Sequence, residues 1–123
     1  MSAKQKRKIL LVLRFLPYGS SIAKAAIDVA LASAVFDQEV DLLFIGDGVL
    51  QLLPDQDGRE VGSKSLGRLL SSLPLYDIDH VYADAEAISR FNLDPTNMLL
   101  EVRMLSELQI HNLMLQYDHL LGL

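Results

Sequence analysis

Three histidines, His80, His111 and His119, are the side chains best placed by type for proton transfer or metal binding near neutral pH. They lie far apart in the chain and show no metal-type spacing. His111 falls among the apolar residues Leu108, Ile110 and Met114 of a helical pattern, and all three are expected as surface or edge histidines. The sequence contains no cysteine, which excludes disulfides, thiolate metal sites and cysteine nucleophiles together. Two turns could hold an anion. Pro17-Tyr18-Gly19-Ser20-Ser21 follows the first apolar run, where doubly wound folds bind phosphate at a helix N-terminus. It is neither a phosphate-binding G-x-x-x-x-G-K-[ST] loop nor a G-x-G-x-x-G fingerprint, and the residues favour a capped turn. Gly46-Asp47-Gly48 is a lone G-x-G with Gln at position 51. Its glycines predict a tight turn, with Asp47 capping a short helical turn. A receiver-type acidic pocket is excluded, because the first strand offers Arg14 and no acid. No residue is therefore assigned a catalytic, cofactor-binding or metal-binding role.

The elements that would position these residues alternate. Lys8 to Leu16 is almost continuously hydrophobic, the pattern of a strand covered on both faces of a parallel sheet. Further strands are predicted at Val40–Ile45, His80–Ala83, Met98–Met104 and His119–Leu123. Helical patterns fall at Ile22–Phe36, Val49–Leu53, Lys64–Leu73 (stopped by Pro74), Ala85–Phe91 and Ser106–Gln116. Strands separated by helices argue for βαβ crossovers. The fold class is α/β: a three-layer, flavodoxin-like or Rossmann-like domain with a mainly parallel five-stranded sheet. Residues 1–7 form a basic tail, and residues 8–123 a single domain.

Length and charge narrow the function classes. A chain of 123 residues has room for one core. Half of those residues are hydrophobic, more than a small domain hides easily, and a face shared with another subunit is the simplest outlet. The helix Ile22–Phe36 points the same way: Lys24, Asp28 and Ser33 are its only plainly polar positions, and Ala25, Ala26, Ala30, Ala32 and Ala34 flatten the rest. No apolar run approaches a membrane span, and no cleavage site follows the first one; a cytoplasmic protein is expected. Lys4, Lys6, Arg7 and Lys8 precede a body with seven basic residues against sixteen acidic ones, about −9. Such a body lacks the basic stripe that nucleic-acid binding needs.

The Pro17-Tyr18-Gly19 turn, the segment Ile45-Gly46-Asp47-Gly48-Val49-Leu50-Gln51-Leu52-Leu53, the segment Leu75-Tyr76-Asp77-Ile78 and the pair Tyr117-Asp118 resemble the TusC/DsrF branch of the DsrE-like family. The resemblance spans about residues 8 to 123, and the D-G-V-x-Q-L-L element is its most specific part. It implies a subunit that works with homologous TusB-like and TusD-like subunits in a hetero-hexamer with two copies of each. In that setting sulfur passes as a cysteine persulfide toward the 2-thiolation of tRNA wobble uridine. A DsrF-type role, in a DsrEFH complex of sulfur oxidation, is the alternative within the family. In the family's catalytic subunit the active cysteine follows the third strand. Here that region is Tyr82-Ala83-Asp84-Ala85-Glu86, so no catalytic residue carries over and no cofactor is implied. The chain is expected to be a non-catalytic accessory subunit. Asp47, Gly48, Gln51 and Leu52 are the candidate subunit contact. Outside the family, a flavodoxin-like binder of an anionic metabolite or nucleotide would use Ser20 and Ser21.

Overall fold

A computed structural model describes residues 7–14, 28–29, 32, 38–53, 70–78 and 80–122. Five strands form one sheet in the order β4-β3-β2-β1-β5, every pair parallel. They are β1 (Lys8–Leu13), β2 (Glu39–Phe44), β3 (Val81–Asp84), β4 (Arg103–Leu105) and β5 (His119–Gly122). The parallel α/β expectation holds. The strand order has one reversal, where the chain crosses from β4 at one edge to β5 at the other.

The hydrophobic run of β1 makes it central, because every second residue feeds a different core. Leu11 and Leu13 join Val40, Leu42 and Phe44 of β2 in the larger core. That core is completed by Val49, Leu52, Leu70, Leu73 and Ile78 and by Ala87 and Ile88 of helix α1 (Ala85–Arg90). Leu10, Val12 and Leu43 face the other way, toward Leu113 of helix α2 (Glu107–Met114) and Leu105. Ser106 opens α2 with a capping box: its hydroxyl accepts from the Gln109 N–H, and the Gln109 side chain accepts from the Ser106 N–H.

Several boundaries differ from the sequence expectation, each for a local reason. Strand β1 stops at Leu13, whose carbonyl accepts from the Ile45 N–H at 3.0 Å. The turn after β2 begins at Gly46 and runs as a 3-10 helix to Leu52, with Ile45 at its N-cap and no capping side chain. Asp47 therefore sits inside the first turn and is not the cap. The segment expected to stop before Pro74 is helical at Leu70–Ser72 and continues as a 3-10 turn over Leu73–Tyr76. Pro74 is tolerated there because a first-turn residue has no use for an N–H. Asp77, at φ 63°, ends that turn in the left-handed region. The apolar run Met98–Val102 is not a strand. It folds irregularly over the larger core, with Leu99 N–H donating to the Leu52 carbonyl at 2.8 Å, and β4 starts only at Arg103. In the predicted helix Ile22–Phe36 the described residues Asp28, Val29 and Ala32 are helical and exposed. The Pro17–Ser21 turn and the polar stretch 55–64 lie outside the described residues.

Candidate functional site

The carboxyl ends of parallel strands are where α/β folds usually do chemistry. Among the described residues, that edge after β2 and β3 is built of a glycine turn, buried apolar side chains and a capping carboxylate. Gly46 has φ +53°, a conformation open to glycine, with no atom close to where a Cβ would stand. Gly48 meets a different constraint: a Cβ would lie 2.1 Å from the Leu13 carbonyl oxygen. The G-x-G is thus one glycine for a left-handed turn and one for close contact with the end of β1. Of the four predicted contact residues, Asp47 is exposed, while Gly48, Gln51 and Leu52 are buried within this chain. The segment packs against β3 and α1. Beside it, β3 ends on Asp84, whose Oδ1 accepts from the Glu86 N–H at 3.1 Å and caps α1. The position where the family resemblance implies a catalytic thiol in a partner subunit therefore carries a capping carboxylate, with Glu86 in the following turn.

The opposite edge holds the interacting polar groups, none of which the sequence had connected. Asp41, on β2, is buried to 4% exposure on the face it shares with Leu10. The Tyr117 hydroxyl donates to Asp41 Oδ2, and Asp41 Oδ1 stands 3.5 Å from His80 Nδ1. Burial pushes the Asp41 carboxyl above its ordinary range, against the pull of the Tyr117 bond and of His80. Burial first, and then the Asp41 bond and charge, hold the Tyr117 phenol above its ordinary value. Lys8 Nζ lies 5.4 Å from the centre of the Tyr117 ring. Asp118 clasps the start of β1 at both backbone groups: its N–H donates to the Lys8 carbonyl and its Oδ2 accepts from the Lys8 N–H, each at 2.8 Å. The Tyr117-Asp118 pair is therefore the fastening of β5 to β1 and β2.

Glu39, two residues before Asp41 on the same strand, brings a third potential ligand. One ligand atom each from Glu39, Asp41 and His80 lies within 4.8 Å of the others. Of the three, His80 also lines a cleft of about 550 Å³, together with Val81, Tyr82, Glu101, Val102 and Arg103. His111 and His119 take no part: His111 is exposed on α2, and His119 is exposed on β5, 3.2 Å from Arg7 Nη1.

Fold and site together define a small parallel α/β domain, thiol-free throughout, whose described carboxyl edge after β2 packs into its own core. The chain belongs to the DsrE/DsrF-like family, which it matches over residues 7–123. Among curated relatives, a protein TusC homolog of Pseudomonas aeruginosa is 31% identical over 95% of this chain and 98% of its own length. Protein TusC of Buchnera aphidicola is 31% identical over 86% of this chain and 90% of its own. Among solved structures, the ychN protein of E. coli superposes with a TM-score of 0.79 at 18% identity, covering 95% of this chain and 99% of that one. A conserved protein of unknown function from Bacteroides thetaiotaomicron reaches 0.69 at 12% identity, covering 95% of each chain. These two likenesses confirm the fold. Among the described residues, no helix is long and apolar enough to cross a membrane.

Proposed function

We propose that the protein is a non-catalytic structural subunit of a TusBCD-type sulfur-relay complex that supports 2-thiolation of tRNA wobble uridine in the cytoplasm. Its partners in this reading are homologous TusB-like and TusD-like subunits in a hetero-hexamer. The observation that carries it is full-length similarity to proteins named TusC in a chain with no cysteine. Persulfide relay needs a thiolate nucleophile, so the sulfur must travel on a partner. Asp84 and Glu86 reinforce this, since two carboxylates after β3 would oppose a neighbouring thiolate.

In the proposed assembly Asp47 is the member of its segment that reaches a partner, and Gly48, Gln51 and Leu52 buttress it from inside. Apolar supply supports association as well: Leu108 and Leu115 are 69% and 73% exposed, and Leu120 and Leu121 of the edge strand β5 are also exposed. Direct RNA contact is left to a partner, because the acidic body repels phosphate. Deleting the gene and quantifying 2-thiouridine in tRNA nucleosides by mass spectrometry tests the pathway. Thiolation should fall and return on complementation. Unchanged thiolation would defeat this reading and redirect the chain to the DsrF-type role in sulfur oxidation, which the same family membership supports.

A further inference from the structure

We propose that Glu39, Asp41 and His80 form a site for a divalent first-row transition ion, of the zinc or manganese kind, at the amino-terminal edge of the sheet. The donor set is two carboxylates and an imidazole, which suits such ions and gives soft ions no thiolate or thioether to hold. Geometry argues for it first. The 3.5 Å gap between His80 Nδ1 and Asp41 Oδ1 is long for an N–H···O hydrogen bond. Zinc ligands lie about 2.0–2.2 Å from the metal, which places neighbouring ligand atoms of a tetrahedron about 3.3–3.5 Å apart. The observed gap matches such an edge, and Glu39 offers a third ligand atom within 4.8 Å of the other two, close enough for a small side-chain adjustment to complete the set.

The surroundings argue for it second. Asp41 is buried, and its Oδ2 is held by the Tyr117 hydroxyl, so that Oδ1 is left turned toward His80. A carboxylate ligand fixed by an outer hydrogen bond is the usual support of a metal site. Lys8 Nζ stands over the Tyr117 ring, and a divalent ion at Asp41 Oδ1 would add direct compensation for a buried carboxylate. His80 lines an open cleft and its side chain is 61% exposed, so water can reach an ion held there. Bound there, the ion would staple the start of β3 to β2.

The test uses the full chain, stripped with a chelator and titrated with Co²⁺ by visible absorption and with Zn²⁺ by calorimetry. One saturable equivalent is expected, with a Co²⁺ d–d band, and Zn²⁺ should raise the melting temperature. His80→Ala, whose side chain is 61% exposed and whose loss spares the fold, should weaken binding at least about tenfold, as should Asp41→Asn. Tyr117→Phe, which removes only the outer hydrogen bond, should weaken it about tenfold. His111→Ala should leave it unchanged. Absence of saturable binding, or binding equally tight in His80→Ala and Asp41→Asn, would overturn the site and leave an ordinary His–Asp pair.

Discussion

At the carboxyl ends of β2 and β3 the chain presents Gly46–Leu52 and the Asp84 cap, governed by backbone fit and apolar burial. At the amino ends of the same strands it presents Glu39, Asp41 and His80, with Tyr117 donating into them from the far side of the chain. Relatives of this architecture commonly place their chemistry at the carboxyl end. Here the described turn after β2 packs its apolar residues into the protein's own core, and the hydrogen-bonded Asp41–Tyr117 pair with His80 lies at the other end. In the proposed structural role this edge needs no nucleophile, because its shape is specified by glycines and leucines.

Substitutions at the two edges should separate shape from polar fastening. Gly48→Ala should have the largest effect, a loss of about 3 kcal/mol in chemical denaturation, because the new methyl meets the Leu13 backbone and not a movable side chain. Tyr117→Phe comes next at the other edge. It leaves the buried Asp41 without its hydroxyl donor and should cost about 1–3 kcal/mol. Gly46→Ala should cost about 1–2 kcal/mol, from left-handed backbone alone, since the space around it is open. The contrast between the two glycines is the sharpest check on the carboxyl edge: equal losses would mean that close packing against β1 is not what position 48 demands.

Asp41→Asn should produce the smallest change, and of opposite sign. The folded Asp41 carboxyl is raised above its ordinary value, mainly by burial. Its contribution to stability is therefore present below the unfolded value and lost as pH rises through the folded one. The facing groups are His80, Glu39, Lys8 and Tyr117. In metal-free protein at neutral pH, Asn keeps the acceptor for Tyr117 without a buried charge, so the variant should melt slightly higher than the parent. That advantage should shrink as pH falls toward the ordinary carboxylate range. Thermal melts of both proteins across this range provide the check, and a variant that melts lower at neutral pH would contradict the assignment.

The parallel sheet was legible because Ile9–Leu13 is an unbroken hydrophobic run and Val40–Phe44 one interrupted only by Asp41, each followed by a helical pattern. The same signal misled at Met98–Val102, where an apolar run serves as an irregular cover for the core. Composition cannot distinguish the two uses. The D-G-V-x-Q-L-L segment stood out, yet its direction did not: Gln51 looks like a surface residue and is completely buried. The Asp41–Tyr117 bond joins residues 76 apart, and His80 reaches Asp41 only through the β2–β3 register. Nothing in local spacing announces such a cluster. The one available cue was a charged residue, Asp41, within a strand otherwise fit for the core.

The central claim is that this chain is a structural partner of homologous subunits. Native mass spectrometry of the chain co-expressed with TusB-like and TusD-like proteins tests that most directly. The account predicts a hetero-hexamer with two copies of each subunit, and its weakening when Asp47 is replaced by Arg. A chain that stays a soluble monomer in the presence of those partners would contradict it.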